Sequence, residues 1–262
     1  MFVNPIYGVA PDEKIIEIEL RNLAKVLDVY EERLSEYKYL GGDFYSMADL
    51  HHIPYLVYFI RSSKSSFVTS RPCVNAWWND ISSRPLHRLK LWNSKRKNKP
   101  TFSSQPSSSF LGEIKNSLQQ ISMVIKVHGI PLSTCTARVL LCLCEKGLQY
   151  KLVPVDVENS AHKKPPYLSL NVRLLTIGVD GSESRAICKY LVRKYNETRI
   201  TIDLLGSSSL TDSTLVDTWM EVESHQFNPP TQACKGYRNI NISEEISIAW
   251  PICTIFLTLF IS

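Results

Sequence analysis

Apolar and polar positions along the chain follow one rhythm in its first third and another after residue 123. Over residues 12–38, Ile16, Leu20, Leu23, Leu27, Tyr30 and Leu34 recur at steps of three and four with Glu, Arg and Lys between them, which predicts an amphipathic helix. Gly41-Gly42 is its expected stop. Ser46-Met-Ala-Asp49 then has the Ser-x-x-Asp form of a capping box and predicts a helix over residues 50–58. Arg71-Pro72 opens another, with Pro in its first turn and Trp77 and Trp78 placed to fill a core and its edge. Between about residues 93 and 122 the pattern lapses into a basic, Ser/Pro-rich stretch with too little apolar content to pack, which reads as a flexible linker. At residues 124–127 a β-branched run predicts a buried strand, and Gly129 and Pro131 break the chain. Helical spacing follows with Val139, Leu140 and Leu143, ended by Gly147, and residues 152–157 read as a second strand. The pattern predicts an all-α segment followed by an α/β segment.

Composition changes this picture little. With 44% hydrophobic and 10% aromatic residues the chain can build real cores. A net charge of +5 is mild, and much of it sits in Lys95-Arg96-Lys97 with Lys99, a solvated linker run rather than a nucleic-acid address. Seven cysteines are scattered without a C-x-x-C pair, the pattern of a reduced, cytosolic protein with no metal site. Met1-Phe-Val-Asn-Pro-Ile-Tyr7 lacks a signal-peptide core, so a cytoplasmic location is expected. Residues 246–261 are apolar but short for a membrane span and contain Pro251, so a membrane association is not expected. An added helix or strand, or translated intron sequence, are the readings of this tail.

The stretch with the clearest chemistry is Ser133. A hydroxyl at the mouth of a helix, straight after a strand, lies where backbone N–H groups and the helix dipole favour an anion such as a thiolate or phosphate. The competing reading is that Ser133 only caps the helix. Cys135, within the same helix start, is a rival site for thiol chemistry. Taken alone, His162-Lys163-Lys164 reads as a polar loop and Glu183 as a helix-start acid. Adjacent His51 and His52 point to different sides of a helix and read as structural.

Several motifs carry a family likeness. The Ser133 turn, His162-Lys-Lys-Pro-Pro-Tyr-Leu-Ser-Leu-Asn171 and Glu183-Ser-Arg-Ala-Ile187, in that order, closely resemble the N-terminal, thioredoxin-like domain of plant phi-class glutathione S-transferases, from about Met123 to Pro230. Leu23-Ala-Lys-Val-Leu-Asp-Val-Tyr-Glu-Glu-Arg-Leu34, Tyr39-Leu-Gly-Gly-Asp43, Asp49-Leu-His-His-Ile-Pro54 and Arg71-Pro-x-Val-Asn-x-Trp77 resemble the helical C-terminal domain of the same class, over about residues 3–92. The family places the helical domain second, whereas here it comes first. The expected organisation is therefore a helical domain at 1–92, a linker at 93–122, a thioredoxin-like domain at 123–206, the start of a second helical segment at 207–230 and an unassigned tail at 231–262. Because Thr214-Leu-Val-Asp-Thr-Trp-Met-Glu-Val-Glu-Ser-His-Gln-Phe227 resembles the family's first C-terminal-domain helix, the pieces hold nearly one whole set of elements in circularly permuted order. A linker of about 30 residues reaches about 30 Å, enough for the two segments to pack together.

The resemblance implies glutathione as cosubstrate, a hydrophobic electrophile as second substrate, no cofactor or metal, and a homodimer. It assigns Ser133 to a hydrogen bond with the glutathione sulfur, His162 and Lys163 to the glycine carboxylate, Glu183 to the γ-glutamyl ammonium and Ser184 to the γ-glutamyl carboxylate. One departure bears on this. The family's Gln-Val-Pro turn precedes the Glu-Ser pair, but residues 171–182 are shorter by several positions and lack proline. A cis bond without proline costs about 2.5–4 kcal/mol, so the turn is not expected to form unchanged. The alternative is accordingly a non-catalytic, ligand-binding relative, or a fused gene product with an impaired site.

Overall fold

The computed structural model describes residues 12–84, 125–130, 133–156, 164, 184–196, 202–233 and 258–261. Helix α1 (Glu13–Glu36) begins where the Asp12 carboxylate accepts from the Lys14 and Ile15 N–H groups at 2.9 and 3.4 Å. Ile16, Leu20, Leu23, Leu27 and Tyr30 are buried along one face. The helix stops at Glu36, before the predicted glycine stop, with Tyr37 extended. The chain leaves early to bury Tyr39 and Leu40. The Tyr39 hydroxyl donates to Asp80 at 2.8 Å, and Leu40 N–H donates to Asp49 at 3.0 Å. Gly42, at φ 141°, closes the Tyr39–Gly42 bridge instead of capping a helix.

The capping box forms as read. The Ser46 hydroxyl accepts from the Ala48 N–H, and the Asp49 carboxylate accepts from the Ser46 N–H at 3.0 Å. The predicted helix over residues 50–58 is split into α2 (Met47–Leu50) and α3 (Ile53–Phe59). Pro54 has no N–H to continue the ladder, so the chain restarts with Pro in the first turn of α3. After the short α4 (Ser66–Thr69), α5 (Pro72–Ser83) is capped from across the bundle. The Glu31 carboxylate on α1 accepts from the Cys73 and Val74 N–H groups, both at 2.9 Å. Burial alone would raise the Glu31 pKa, but these two donors hold it below its ordinary value. Trp77 and Trp78 are both buried, and Trp77 Nε1 donates to Asp49 at 2.9 Å.

Strand β1 (Ile125–Gly129) runs parallel to β2 (Tyr150–Pro154), Ile125 opposite Tyr150 and Gly129 opposite Pro154, through the crossover helix α6 (Thr134–Glu145). Register draws the second strand two residues earlier than its apolar run suggested. From the tail, β3 (Thr258–Ile261) pairs antiparallel with the other edge of β1, giving the order β2-β1-β3. The strand reading of the tail therefore holds for its last residues. Helix α7 (Ser184–Lys194) packs on α6. Gly206, at φ 64°, turns the chain into α8 (Leu210–Val222), which Ser209 caps. A π turn (Glu223–Phe227) leads into α9 (Asn228–Ala233). Pro229 and Pro230 lack the N–H groups that an α ladder would need there, and the turn before them widens. Among the described residues no helix is long and apolar enough to cross a membrane.

One contiguous core takes side chains from both segments. Tyr30 of α1 stacks on Phe227 at 6.0 Å and meets the edges of Trp219 and Trp77. Met47 N–H, at the start of α2, donates to the Leu204 carbonyl at 2.8 Å, and Arg84 pairs with Glu145 of α6 at 3.2 Å. The opening helical segment thus packs on the strand–helix–strand unit and on α8–α9.

Candidate functional site

The turn from β1 into α6 places Ser133 as the N-cap. Its backbone is extended, and its Oγ accepts from the Thr136 N–H at 3.5 Å. The cap uses a lone pair of the oxygen and not the hydroxyl proton, so capping and donation to an anion are compatible rather than rival roles. Ser133 is buried at 5% exposure, under the N-terminal dipole of a twelve-residue helix. The far end of α6 is fixed by Gly147 at φ 64°, with Leu148 N–H donating to Leu143 and Gly147 N–H to Cys144, a Schellman closure. Cys135, two residues past Ser133, is half-buried on the first turn of the same helix.

Five residues beyond Ser133, Arg138 is fully buried on α6. Its Nη1 donates to the Ser184 hydroxyl oxygen at the start of α7, and its Nη2 donates to the Tyr55 hydroxyl of α3 at 3.1 Å. Nη2 also lies 3.6 Å from Glu223, and Arg185 binds that same carboxylate through Nε at 2.8 Å and Nη2 at 3.0 Å. Burial works against the Arg138 charge, but Tyr55 and Glu223 outweigh it and raise the pKa. Glu223 is itself fully buried, so this cluster joins α3, α6, α7 and the π turn by hydrogen bonds and ion pairs around a carboxylate shut off from water.

Next to it on the helical side, His51 and His52 are both enclosed. The His52 Nδ1 lies 2.6 Å from the Ala48 carbonyl, which can only accept, so Nδ1 carries the proton. Nε2 is then the acceptor for the Tyr30 hydroxyl at 2.8 Å. Burial pushes the His52 pKa down to about 4 and that of His51 well below its ordinary value, keeping both rings neutral. For His52 this is the structural role that the sequence suggested, whereas neither ring nitrogen of His51 has a hydrogen-bond partner among the described residues.

Of the five residues assigned by resemblance, Ser133 and Ser184 lie on neighbouring helices that Arg138 links. His162, Lys163 and Glu183 fall outside the described residues, as does the shortened stretch 171–182. Sequence reading missed Arg138, Tyr55, Arg185 and Glu223. The available signal was a lone arginine inside the apolar run Ala137-Arg-Val-Leu-Leu141, a position that calls for a buried acid elsewhere.

The family described as glutathione S-transferase, C-terminal domain matches residues 1–85, and that described as glutathione S-transferase, N-terminal domain matches residues 127–199. Glutathione S-transferase F13 of Arabidopsis thaliana is 51% identical over 85 residues, covering 32% of this chain and 39% of that protein. Glutathione S-transferase PARB of Nicotiana tabacum is 42% identical over 113 residues, covering 41% of this chain and 52% of that protein. A crystal structure of glutathione transferase F7 from Populus trichocarpa aligns with 43% identity and a TM-score of 0.34 over 40% of this chain and 51% of that one. In these relatives the matched part is about half of the protein's own length or less. Two domain matches in reversed order, with plant relatives of the phi class, place the chain in the glutathione S-transferase family, its C-terminal domain preceding its N-terminal domain.

Proposed function

We propose that the protein binds glutathione and transfers its thiolate to hydrophobic electrophiles, as a cytoplasmic detoxification enzyme and a homodimer. The observation that carries this reading is Ser133, a buried hydroxyl capping α6 directly after β1. The nucleophile in such a reaction is the thiolate. A hydroxyl donor with a helix N-terminus behind it lowers the cost of that charge without metal or covalent participation of the serine. His162 and Lys163 are assigned to the glycine carboxylate, Lys as a point charge. Glu183 and Ser184 are assigned to the two charged groups of the γ-glutamyl end.

The second reading, a ligand-binding relative without catalysis, is favoured by one sequence feature, the shortened, proline-free stretch at 171–182. The two part at the thiol. Substituting Ser133→Ala should lower the rate of glutathione conjugation to a model aryl halide by about a hundredfold, the scale of losing a donor to the reacting charge, while the chain stays folded. A wild-type rate no greater than that of the variant, with hydrophobic dye still bound, would favour the ligand-binding reading. Retention on immobilised glutathione, weakened by Lys163→Ala, tests the binding half separately.

A further inference from the structure

The assignment of Ser184 to the γ-glutamyl carboxylate leaves open what sets its hydroxyl. Arginine has five N–H donors and no acceptor. At the contact with Arg138 the Ser184 oxygen must therefore accept, and its own proton is directed elsewhere. Accepting from a buried cation draws electron density from the hydroxyl and makes that proton a stronger donor. A carboxylate is the ligand group that such a donor suits best. Arg138 is in turn held by Tyr55 of α3, in the opposite segment, which accepts from Nη2, while Glu223 of the π turn balances its charge. Tyr55 is buried at 2% exposure, and its ring lies 5.4 Å from the guanidinium carbon.

We propose that Arg138 is a positioning residue for glutathione, orienting and polarising the Ser184 hydroxyl toward the γ-glutamyl carboxylate, and that Tyr55 aligns Arg138 for this task. The helical segment then contributes to glutathione recognition from behind the site, without touching the ligand. The inference rests on the glutathione reading above. It adds a dependence that joins the two segments: docking of α3 tunes the affinity of a site built on α6 and α7.

The test is calorimetric titration of the full chain with two probes. One is glutathione; the other is 4-aminobutanoyl-cysteinylglycine, which keeps the thiol, the glycine carboxylate and the amine but lacks the γ-glutamyl carboxylate. Tyr55→Phe keeps the ring and removes the hydroxyl that accepts from Arg138. It should weaken glutathione binding roughly fivefold, the scale of one hydrogen bond, and leave the analogue's affinity unchanged. Arg138→Lys, which keeps the charge but not the two-pronged geometry, should do the same more strongly. Equal losses for both probes would mean a merely structural effect and would overturn the proposal. Unchanged glutathione affinity in Tyr55→Phe would overturn it too, with the glutathione reading intact. A folded wild type that binds neither probe would overturn both, whereas a wild type that binds both equally would overturn the Ser184 assignment and this proposal with it.

Discussion

Glu223 is enclosed between two guanidinium groups, with Arg185 gripping both oxygens and Arg138 at 3.6 Å, and neither Glu223 nor Arg138 reaches water. Such a cluster is poor evidence of net stability, because desolvating the charges costs about what their attraction returns. Removing one member is different, since it strands the others. Glu223→Ala should lower unfolding stability by about 3–5 kcal/mol, read as a lower urea midpoint at unchanged slope. A loss under about 1 kcal/mol would mean that solvent reaches Arg138. At this scale Ser133 was legible in the sequence, because a hydroxyl between a strand and a helix has few places to be. Arg138 was not, because its meaning depends on Tyr55 and Glu223, which only tertiary packing brings to it.

Among the elements, α2 and α3 carry the buried histidines, and their environment makes stability depend on pH. The His52 pKa is lowered from the ordinary 6.5 to about 4 by burial, and His51 is lowered in the same sense. The folded state thus binds fewer protons than the unfolded one below pH 6.5. The stability these rings contribute is fully present above that pH and is lost as pH falls toward 4. His52 costs roughly 1.4 kcal/mol per pH unit in this window, and His51 adds to the loss in the same sense. Asp49 works the other way, its pKa raised by burial in spite of its four hydrogen bonds, so mild acid favours the fold there. Denaturant unfolding at pH 7 and pH 5 should show a fall in the wild type that is shallower in His52→Gln; equal slopes would contradict the neutral-histidine account. Most elements were legible from periodicity: α1, the capping box, α5, β1 and α6. The break between α2 and α3 was not, although Pro54 was in view, because a proline in a helical pattern either starts a turn or kinks one, and packing decides. Glu31 as the cap of α5 was equally hidden, since local sequence holds no trace of a donor pair contributed by another helix.

At the scale of the whole molecule, the order of the segments is reversed while the contacts between them are extensive. Tyr30, from the opening helix, sits in a cage of His52, Trp77, Trp219 and Phe227, and two of these come from beyond residue 200. Motif order made the reversal legible, and linker reach made joint packing feasible, but no local pattern could show that the π turn and α9 pack against α1. The tail was the least legible part. Its apolar run gave no period, and β3 finds its place only because β1 has a second edge to pair. The most direct test of this arrangement is to cut the chain within 93–122, through an inserted protease site, and pass the product over a sizing column under native conditions. A shared core predicts that the two halves co-elute and part only in denaturant. Halves that separate in native buffer while each remains folded would contradict the account of a single unit built from reversed segments.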